Sequence, residues 1–293
     1  MLHSPNSINV LLMSLFPDYL HVTADQLGTG HNVRVRVLGD AASIARDMAS
    51  AMAEAIRLAA RAGRGATLII PVGPVDQFPL LAELVNAERL SLREVVFINM
   101  DEYLTDGDEW LPAEHPLSFR GYMQRRFYDL LDTKLAPPVT HRVFPDPRDP
   151  GAIEKLIAER GGVDVCFGGI GINWHIAFNE PPEPGERISD AEFAALPTRV
   201  LSLARETRTI NSVTVGGDIG VVPRRCITVG MREILASRSL RFYCNRPWQC
   251  GVVRRVLHGP ITAACPASFL RTHADAALTI ADYVAATPDI RLR

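Results

Sequence analysis

The stretch Ala66-Thr-Leu-Ile-Ile-Pro71 decides the fold, because it is short, almost wholly apolar and followed by a turn that contains glycine and proline. Such a segment is typical of a strand buried on both faces, as in the centre of a parallel sheet. Two further segments of this kind are Glu94–Met100 and Val163–Phe167. Upstream, Val33–Leu38 alternates apolar and basic residues and also predicts a strand. The sequence therefore predicts several strands of one sheet.

Helical patterns separate these strands. Residues Asp40–Arg61 carry apolar side chains at helical spacing after an aspartate at the capping position. Leu80–Arg89 predicts a second helix, which crosses over to the next strand. Strands that alternate with helices favour an α/β fold, namely a mainly parallel, doubly wound, Rossmann-like sheet with helices on both faces. We predict one such domain over residues 32–293, after an N-terminal arm over residues 1–31 whose apolar stretch Val10–Phe16 is too short to span a bilayer.

Composition excludes several classes of protein. The 293 residues are 47% hydrophobic and 22% charged, with a net charge of −2, which suits a folded protein and gives no basic field for nucleic acid. No apolar run reaches the roughly 18 residues that a membrane span requires. Five scattered cysteines without zinc-site spacing predict a reduced, cytoplasmic protein and no structural metal. They are Cys166, Cys226, Cys244, Cys250 and Cys265.

Asp101 and Glu102 directly follow the strand predicted at Glu94–Met100. Ligands of α/β sheets bind beyond the carboxyl ends of the strands, so this acidic pair is expected at the mouth of the sheet. Partial burial there raises the pKa of a carboxylic acid toward neutrality, which suits a general base. The alternative is an ordinary acidic pair that caps a helix or faces solvent.

A glycine-dense turn, Gly168-Gly-Ile-Gly-Ile-Asn-Trp-His175, follows another predicted strand. Gly169 and Gly171 allow the backbone to approach a ligand closely and leave amide groups free to bind its oxygen atoms. A tight turn without a ligand is equally compatible with this pattern. The spacing lacks the full dinucleotide fingerprint, so a nicotinamide cofactor is a weak alternative and we expect no cofactor.

His175 and Glu180 lie five positions apart in His175-Ile-Ala-Phe-Asn-Glu-Pro181. A carboxylate beside an imidazole fixes the tautomer of the ring and tunes its proton affinity, as acid–base catalysis requires. The alternative is a structural histidine that hydrogen-bonds to the backbone.

Five segments occur in order between about residue 33 and about residue 283, and their wording is specific as a set: Asn99–Tyr103, Glu114–Phe119, Gly168–Gly171, His175–Pro181 and Ile227–Gly230. Together they resemble the glucosamine-6-phosphate deaminase/isomerase family. The segment His-Ile-Ala-Phe-Asn-Glu-Pro separates this family from the related 6-phosphogluconolactonases.

The resemblance implies an enzyme that opens the pyranose ring of an amino-sugar phosphate, moves a proton between C1 and C2 and releases ammonia. It implies neither a metal nor an organic cofactor. Carried over by motif, Asp101 is the base that shuttles the C2 proton. His175 is the acid–base group for ring opening, and Glu180 orients its imidazole.

The catalytic loop departs from the family pattern, which has Asp-Gly before the histidine. Here Asn173 and Trp174 precede His175. An amide hydrogen-bonds an imidazole but does not stabilise an imidazolium as a carboxylate does, so we expect ring opening to be weakened or altered. Asn173 is nonetheless a catalytic candidate. Trp174 either stacks on a sugar face or packs on the protein.

The phosphate-binding segments depart as well. The family's hydroxyl- and glycine-rich turn is replaced by Pro71-Val-Gly-Pro-Val-Asp76, which has no hydroxyl, has prolines without N–H groups and carries a carboxylate. An expected arginine falls at Val213 and an expected lysine at Gln249. Arg208 or Arg246 would have to compensate for the missing charges.

These observations predict an isomerase or deaminase that acts on an amino sugar or a sugar phosphate, with a changed substrate. Two alternatives stay open: a non-catalytic sugar-binding or sensing protein on the same fold, and a sugar-lactone hydrolase in which His175 activates water. The expected partner is a small sugar or sugar phosphate, without nucleic acid or membrane, and a homo-oligomer is compatible with the sequence. The predicted substrate contacts are Gly73, Glu102, Gly169, Gly171, Trp174, Arg208 and Gln249.

Overall fold

The computed structural model describes residues 15–73 and 76–291, and its strands form two sheets. In chain order the strands are β1 (Arg34–Leu38), β2 (Thr67–Ile70), β3 (Val96–Asn99), β4 (Asp101–Leu104), β5 (Arg142–Val143), β6 (Val165–Gly169), β7 (Arg199–Ser202), β8 (Arg225–Thr228), β9 (Ser239–Cys244) and β10 (Ala276–Ala281). Seven of them form a parallel sheet in the order β1-β10-β9-β6-β2-β3-β5. Every residue of β2 and β3 is buried, so both faces of the sheet centre are covered. The predicted fold class is confirmed.

The order of the strands reverses between β2 and β6. From β2 the sheet grows through β3 to β5, whereas from β6 it grows through β9 and β10 to β1. In parallel sheets a crevice opens at the carboxyl ends of the strands at such a switch point. The residues that follow β2 and β6 therefore border a ligand crevice.

Nine α-helices accompany the sheets within the described part of the chain. They are α1 (Ala41–Arg61), α2 (Gln77–Glu88), α3 (Phe119–Arg126), α4 (Ala152–Glu159), α5 (Asp190–Ala194), α6 (Arg205–Ser212), α7 (Met231–Leu235), α8 (Gln249–His258) and α9 (Asp282–Ala285). Short 3-10 helices form at Asp18–His21, Ala24–Gln26, Tyr128–Leu130, Val139–His141, Val213–Val215, Ile219–Val221 and Pro266–Thr272.

The first two helices test the helical patterns read from the sequence. Helix α1 begins where it was predicted, because the side chain of Asp40 accepts a hydrogen bond of 2.7 Å from the amide of Ser43. Helix α2 begins at Gln77, three residues before the predicted start at Leu80. Pro79 lies in the first turn of this helix, where proline is tolerated.

The second sheet was not predicted. It is antiparallel, in the order β4-β8-β7, and pairs Asp101 with Thr228. Asp101 and Glu102 were predicted to follow a strand, yet Asp101–Leu104 is itself a strand, and its residues are all buried. The strand begins with two acids and so lacks the apolar pattern of a buried strand, and its partner strand β8 lies far away in sequence.

Part of the predicted N-terminal arm packs into the main core. Leu27 is fully buried in that core. The buried guanidinium of Arg254 donates to the carbonyl of Val22 in this segment at 2.7 Å and to the carbonyl of Ala285 at 2.8 Å. Residues 1–14, which include most of the apolar stretch Val10–Phe16, lie outside the described residues.

Candidate active site

A cavity of about 440 Å³ lies at the carboxyl ends of the central strands. Residues that follow β2 and β6 line it, as the switch point between these strands predicts. Asp101 and His175, which are 74 positions apart by number, both line this cavity. Of the other predicted site residues, four also line it: Gly73, Gly169, Gly171 and Gln249.

Asp101 presents the acidic group of the cavity. It is the first residue of β4 and only 7% exposed. Burial, and secondarily the charge of the adjacent Glu102, raise the pKa of Asp101 to about 8. A carboxyl group that titrates this close to neutrality can take up and release a proton during turnover.

Glu102 points away from the cavity, into the protein. Its carboxylate accepts hydrogen bonds from the amides of Phe119 and Arg120 at the start of α3, from the amide of Tyr103 and from the hydroxyl of Ser118. Burial raises the pKa of Glu102, and these donors oppose the rise. The predicted substrate contact at Glu102 is therefore not supported, because its oxygens are occupied by the N-terminus of a helix.

The imidazole of His175 is seated against a glycine. A Cβ atom at Gly171 would lie 2.0 Å from Cε1 and 2.1 Å from Nε2 of His175, so no side chain fits there. The amide of Gly171 also donates to the carbonyl of His175 at 3.0 Å. Gly171 thus leaves room for the ring beside the turn that follows β6.

Two polar side chains hold His175 from behind. The Oδ1 atom of Asn173 lies 2.7 Å from Nδ1 of the imidazole, and its Nδ2 group donates to Glu180. Glu180 Oε2 itself lies 3.5 Å from Nδ1. Burial acts to raise the pKa of Glu180, but the hydrogen bond and charge of His175, with bonds from Asn173 and Thr207, outweigh burial and lower it. Glu180 therefore remains a carboxylate.

This chain of hydrogen bonds fixes the tautomer of the ring. A carboxylate can only accept, so the NH₂ group of Asn173 faces Glu180 and its carbonyl oxygen faces His175. The Nδ1 atom of His175 must then carry the proton and donate it. In the neutral ring, Nε2 keeps a lone pair that is free to accept a proton in the cavity. Asn173 and Glu180 do not line the cavity, so they position His175.

Trp174 and Arg208, two of the predicted substrate contacts, do not line the cavity within the described part of the chain. Trp174 adopts a left-handed backbone conformation, with φ of 66°, and the guanidinium of Arg255 stacks on its ring at 3.7 Å. Arg208 donates to the carbonyls of Val222 and Ile219. Of the two roles considered for Trp174, the geometry favours packing on the protein.

Few groups suited to a phosphate surround the cavity. Among the described residues, Arg246 is the one arginine or lysine that lines it, and its side chain is exposed. Gln249 is committed to the protein, since Nε2 donates to the carbonyl of Ile170 at 2.8 Å and Oε1 accepts from the amide of Arg246 at 2.7 Å. Val213 offers only an apolar side chain. Asp76 is exposed, and its Oδ1 atom lies 3.7 Å from the Nη2 atom of Arg126.

Comparison with known proteins identifies the family. A glucosamine-6-phosphate deaminase of Cellvibrio japonicus is 33% identical over 254 residues, which cover 85% of this chain and 89% of that protein. The chain belongs to the glucosamine-6-phosphate deaminase family. A second deaminase of this name, from Phocaeicola vulgatus, is 32% identical over 204 residues, or 68% of this chain and 72% of that protein. The resemblance that the sequence motifs indicated is thereby confirmed.

Solved structures agree with membership of the glucosamine-6-phosphate deaminase family. A monomeric glucosamine-6-phosphate deaminase has a TM-score of 0.73 and 27% identity, and the match covers 86% of this chain and 99% of that one. A 6-phosphogluconolactonase of Shewanella baltica shares the fold, with a TM-score of 0.59 and 17% identity over 86% of this chain and all of that one. No family model matches the chain.

Residues 15–73 and 76–291 of this family member lack two features. No helix there combines the length and apolarity that crossing a membrane requires. No group of three or more His, Cys, Asp or Glu side chains in these ranges is arranged to hold a metal ion. The five cysteines are all free thiols.

Sequence reasoning missed one polar contact of the site. Thr207, in α6, is fully buried, and its Oγ1 atom lies 3.1 Å from both Nδ1 of His175 and Oε2 of Glu180. Thr207 is 32 positions from His175 in a segment without a strand or glycine signal, so only the folded chain brings the two together.

Proposed function

We propose that this protein is an acid–base enzyme that isomerises, and where an amino group is present deaminates, a sugar after opening its ring. One observation carries the proposal: Asp101 and His175, from distant parts of the chain, line the same cavity. Family membership supports an enzyme that processes a sugar or sugar phosphate. The arrangement of Asn173 and Glu180 behind His175 supports an imidazole poised for proton transfer.

The two groups divide the reaction between them. The lone pair on Nε2 of His175 takes the proton of the anomeric hydroxyl and returns a proton to the ring oxygen, which opens the ring. The carboxylate of Asp101 then removes the proton from C2 and delivers it to C1, while the carbonyl oxygen at C1 gains a proton and the amino or hydroxyl group at C2 loses one. With an amino group at C2 the product is an imine, which water hydrolyses to a ketose and ammonia. Positioned acid–base groups of this sort typically contribute ~10²–10⁴-fold each.

The proposed substrate differs from glucosamine 6-phosphate at the end of the sugar that carries the phosphate. A phosphate dianion is normally held by several charged donors, each worth ~1.5–3 kcal/mol. Here the cavity wall carries Val213 and a Gln249 whose amide is already bonded, and Arg246 stands exposed at its edge. We therefore propose an amino sugar without a tightly held phosphate as the preferred substrate.

Assays of both products test the proposed function. Purified protein is incubated with glucosamine 6-phosphate, glucosamine and other free amino sugars, and ammonia and ketose are measured. We expect turnover of at least one sugar, and its loss in Asp101→Asn with binding retained. Sugar-induced thermal stabilisation without turnover of any sugar would favour the non-catalytic sensor instead. Hydrolysis of a sugar lactone alone would favour the hydrolase.

One variant tests the contribution of Arg246 to phosphate binding. Arg246→Gln removes the one cationic side chain of the described cavity wall, so we expect it to reduce kcat/KM for glucosamine 6-phosphate and leave that for glucosamine nearly unchanged. A large loss of kcat/KM for both sugars would contradict this assignment.

Four further expectations complete the proposal. We propose a single domain over residues 32–293 after the N-terminal arm, a cytoplasmic location, a homo-oligomer as compatible with the fold, and no nucleic-acid or membrane partner. The free thiols of all five cysteines and the net charge of −2 support the compartment and the absence of a nucleic-acid partner.

A further inference from the structure

The hydroxyl of Thr207 lies within hydrogen-bonding distance of both His175 and Glu180. Thr207 has no exposed surface, although it belongs to the short helix α6, which lies against the cavity. Its Oγ1 atom is 3.1 Å from Nδ1 of His175 and 3.1 Å from Oε2 of Glu180. The hydroxyl has one proton, so it can donate to only one of these two neighbours at a time and must offer a lone pair to the other.

Hydrogen-bond chemistry settles that direction. The carboxylate of Glu180 only accepts, so the hydroxyl of Thr207 donates to Glu180 and turns a lone pair toward Nδ1–H of His175. Nδ1–H therefore has two neutral acceptors, Oδ1 of Asn173 at 2.7 Å and Oγ1 of Thr207 at 3.1 Å, which both lie closer than Oε2 of Glu180 at 3.5 Å. Asn173, through Nδ2, and Thr207, through Oγ1, both donate in turn to Oε2 of Glu180.

We propose that Thr207 is a positioning residue for His175, which links the imidazole to the carboxylate of Glu180 in parallel with Asn173. Two neutral links of this kind hold the ring in the tautomer with a free Nε2, although no carboxylate stands at position 173. The catalytic consequence of this assignment rests on the proposed function, whereas the structural consequence does not.

The same helix connects His175 to the wall of the cavity. Ile210 and Asn211 follow Thr207 in α6 and line the cavity. Nδ2 of Asn211 donates to the hydroxyl of Tyr103 at 2.8 Å, and Tyr103 lies two residues after Asp101 in β4. Thr207 is the contact through which α6 reaches His175.

Three variants of the full chain isolate the hydroxyl. Thr207→Val removes it at nearly constant shape, Thr207→Ser keeps it, and Thr209→Val removes an exposed hydroxyl of the same helix that bonds only to the carbonyl of Arg205. The direct readout is nitrogen NMR of the imidazole, with His175→Gln to assign its signals. Because Asn173 alone already favours the Nδ1–H tautomer, we expect that tautomer in all four proteins. In Thr207→Val alone we expect a weaker hydrogen bond at Nδ1–H, seen as an upfield shift of its proton signal and faster exchange of that proton with water.

Kinetics supply the second readout. On the sugar that the protein turns over, we expect Thr207→Val to lower kcat by about 10- to 100-fold with little change in KM, and Thr207→Ser to restore most of the loss. Circular dichroism confirms that each variant is folded, and Thr207→Ala replaces Thr207→Val if the latter is not. An unchanged Nδ1–H signal together with an unchanged kcat in the hydroxyl-free variant would overturn the proposal, as would equal losses in Thr207→Ser. If no sugar is turned over, the proposed function fails and the NMR result alone decides the role of Thr207.

Discussion

At the scale of single residues, Asp101 stands out because its surroundings favour the protonated form of its carboxyl group. Burial and the neighbouring charge of Glu102 raise its pKa to about 8. A base that removes a proton from carbon must be ionised, so only part of the protein is in the active form at neutral pH. Sequence position after a strand was enough to predict Asp101 as a candidate. The size of the pKa shift required the folded surroundings.

The first prediction follows from this ionisation. We expect kcat/KM to rise about tenfold per pH unit below about pH 8 and to level off above it, because the ionised fraction of Asp101 rises in that way. The measurement is a pH–rate profile on a substrate found in the ammonia and ketose assays. Asp76→Asn, which removes an exposed acid that does not line the described cavity, should keep the same profile. A profile that is flat below pH 8 would contradict the role of Asp101.

The second prediction concerns two glycines of the same cavity. A Cβ atom at Gly171 would meet the imidazole of His175 at 2.0 Å, whereas one at Gly73 would meet no described atom within 4 Å. We expect Gly171→Ala to lower kcat by about 100-fold or more, since the ring must leave its position, and Gly73→Ala, at a predicted substrate contact, to change kcat by no more than a few-fold. Steady-state kinetics on both variants decide the matter. Similar losses of kcat in both variants would show that the imidazole of His175 does not depend on the space that Gly171 leaves for it.

At the scale of elements, the strands of the large sheet were predictable and those of the small sheet were not. β2 and β3 are continuous apolar runs, because both of their faces are buried. β4 begins with two acids, of which one faces the cavity and one bonds to the start of α3. These acids serve the site and the helix, so the sequence of β4 lacks the apolar pattern that predicts a strand. The role of Glu102 was missed for the same reason, since the helix that it anchors begins 17 positions later.

The third prediction tests Glu102 as the anchor of helix α3. Glu102→Gln should lower the free energy of unfolding by about 1.5–3 kcal/mol, because the amides of Phe119 and Arg120 lose a charged acceptor. It should also move the midpoint of the pH–rate profile to lower pH, because the charge of Glu102 helps to raise the pKa of Asp101. Urea unfolding and pH–rate profiles measure the two effects. Asp106→Asn, an exposed acid just after the same strand, is the control that should show neither.

At the scale of the whole molecule, the site is assembled from segments that the chain brings together only by folding. The motifs predicted Asp101, Gly171 and His175, because each follows a recognisable strand and matches a family block. They did not predict Thr207, which acts through tertiary contact alone. They also left open which way Trp174 points, and the stacking of Arg255 on its ring favours packing on the protein.

The fourth prediction joins the site to global stability. An aspartic acid in an unfolded chain titrates near a pKa of about 3.9, whereas Asp101 in the folded protein titrates at about 8. Between these values the native state keeps a proton that the unfolded state has released, so this group makes stability fall as pH rises. Asp101→Asn has no such proton. Its free energy of unfolding relative to the unaltered protein should therefore increase by at least about 1 kcal/mol between about pH 5 and about pH 8. Urea unfolding of both proteins across this range measures the difference, with Asp76→Asn as the control. A difference that does not change with pH would mean that Asp101 already ionises freely in the native state, and its role as a tuned base would then have no physical foundation.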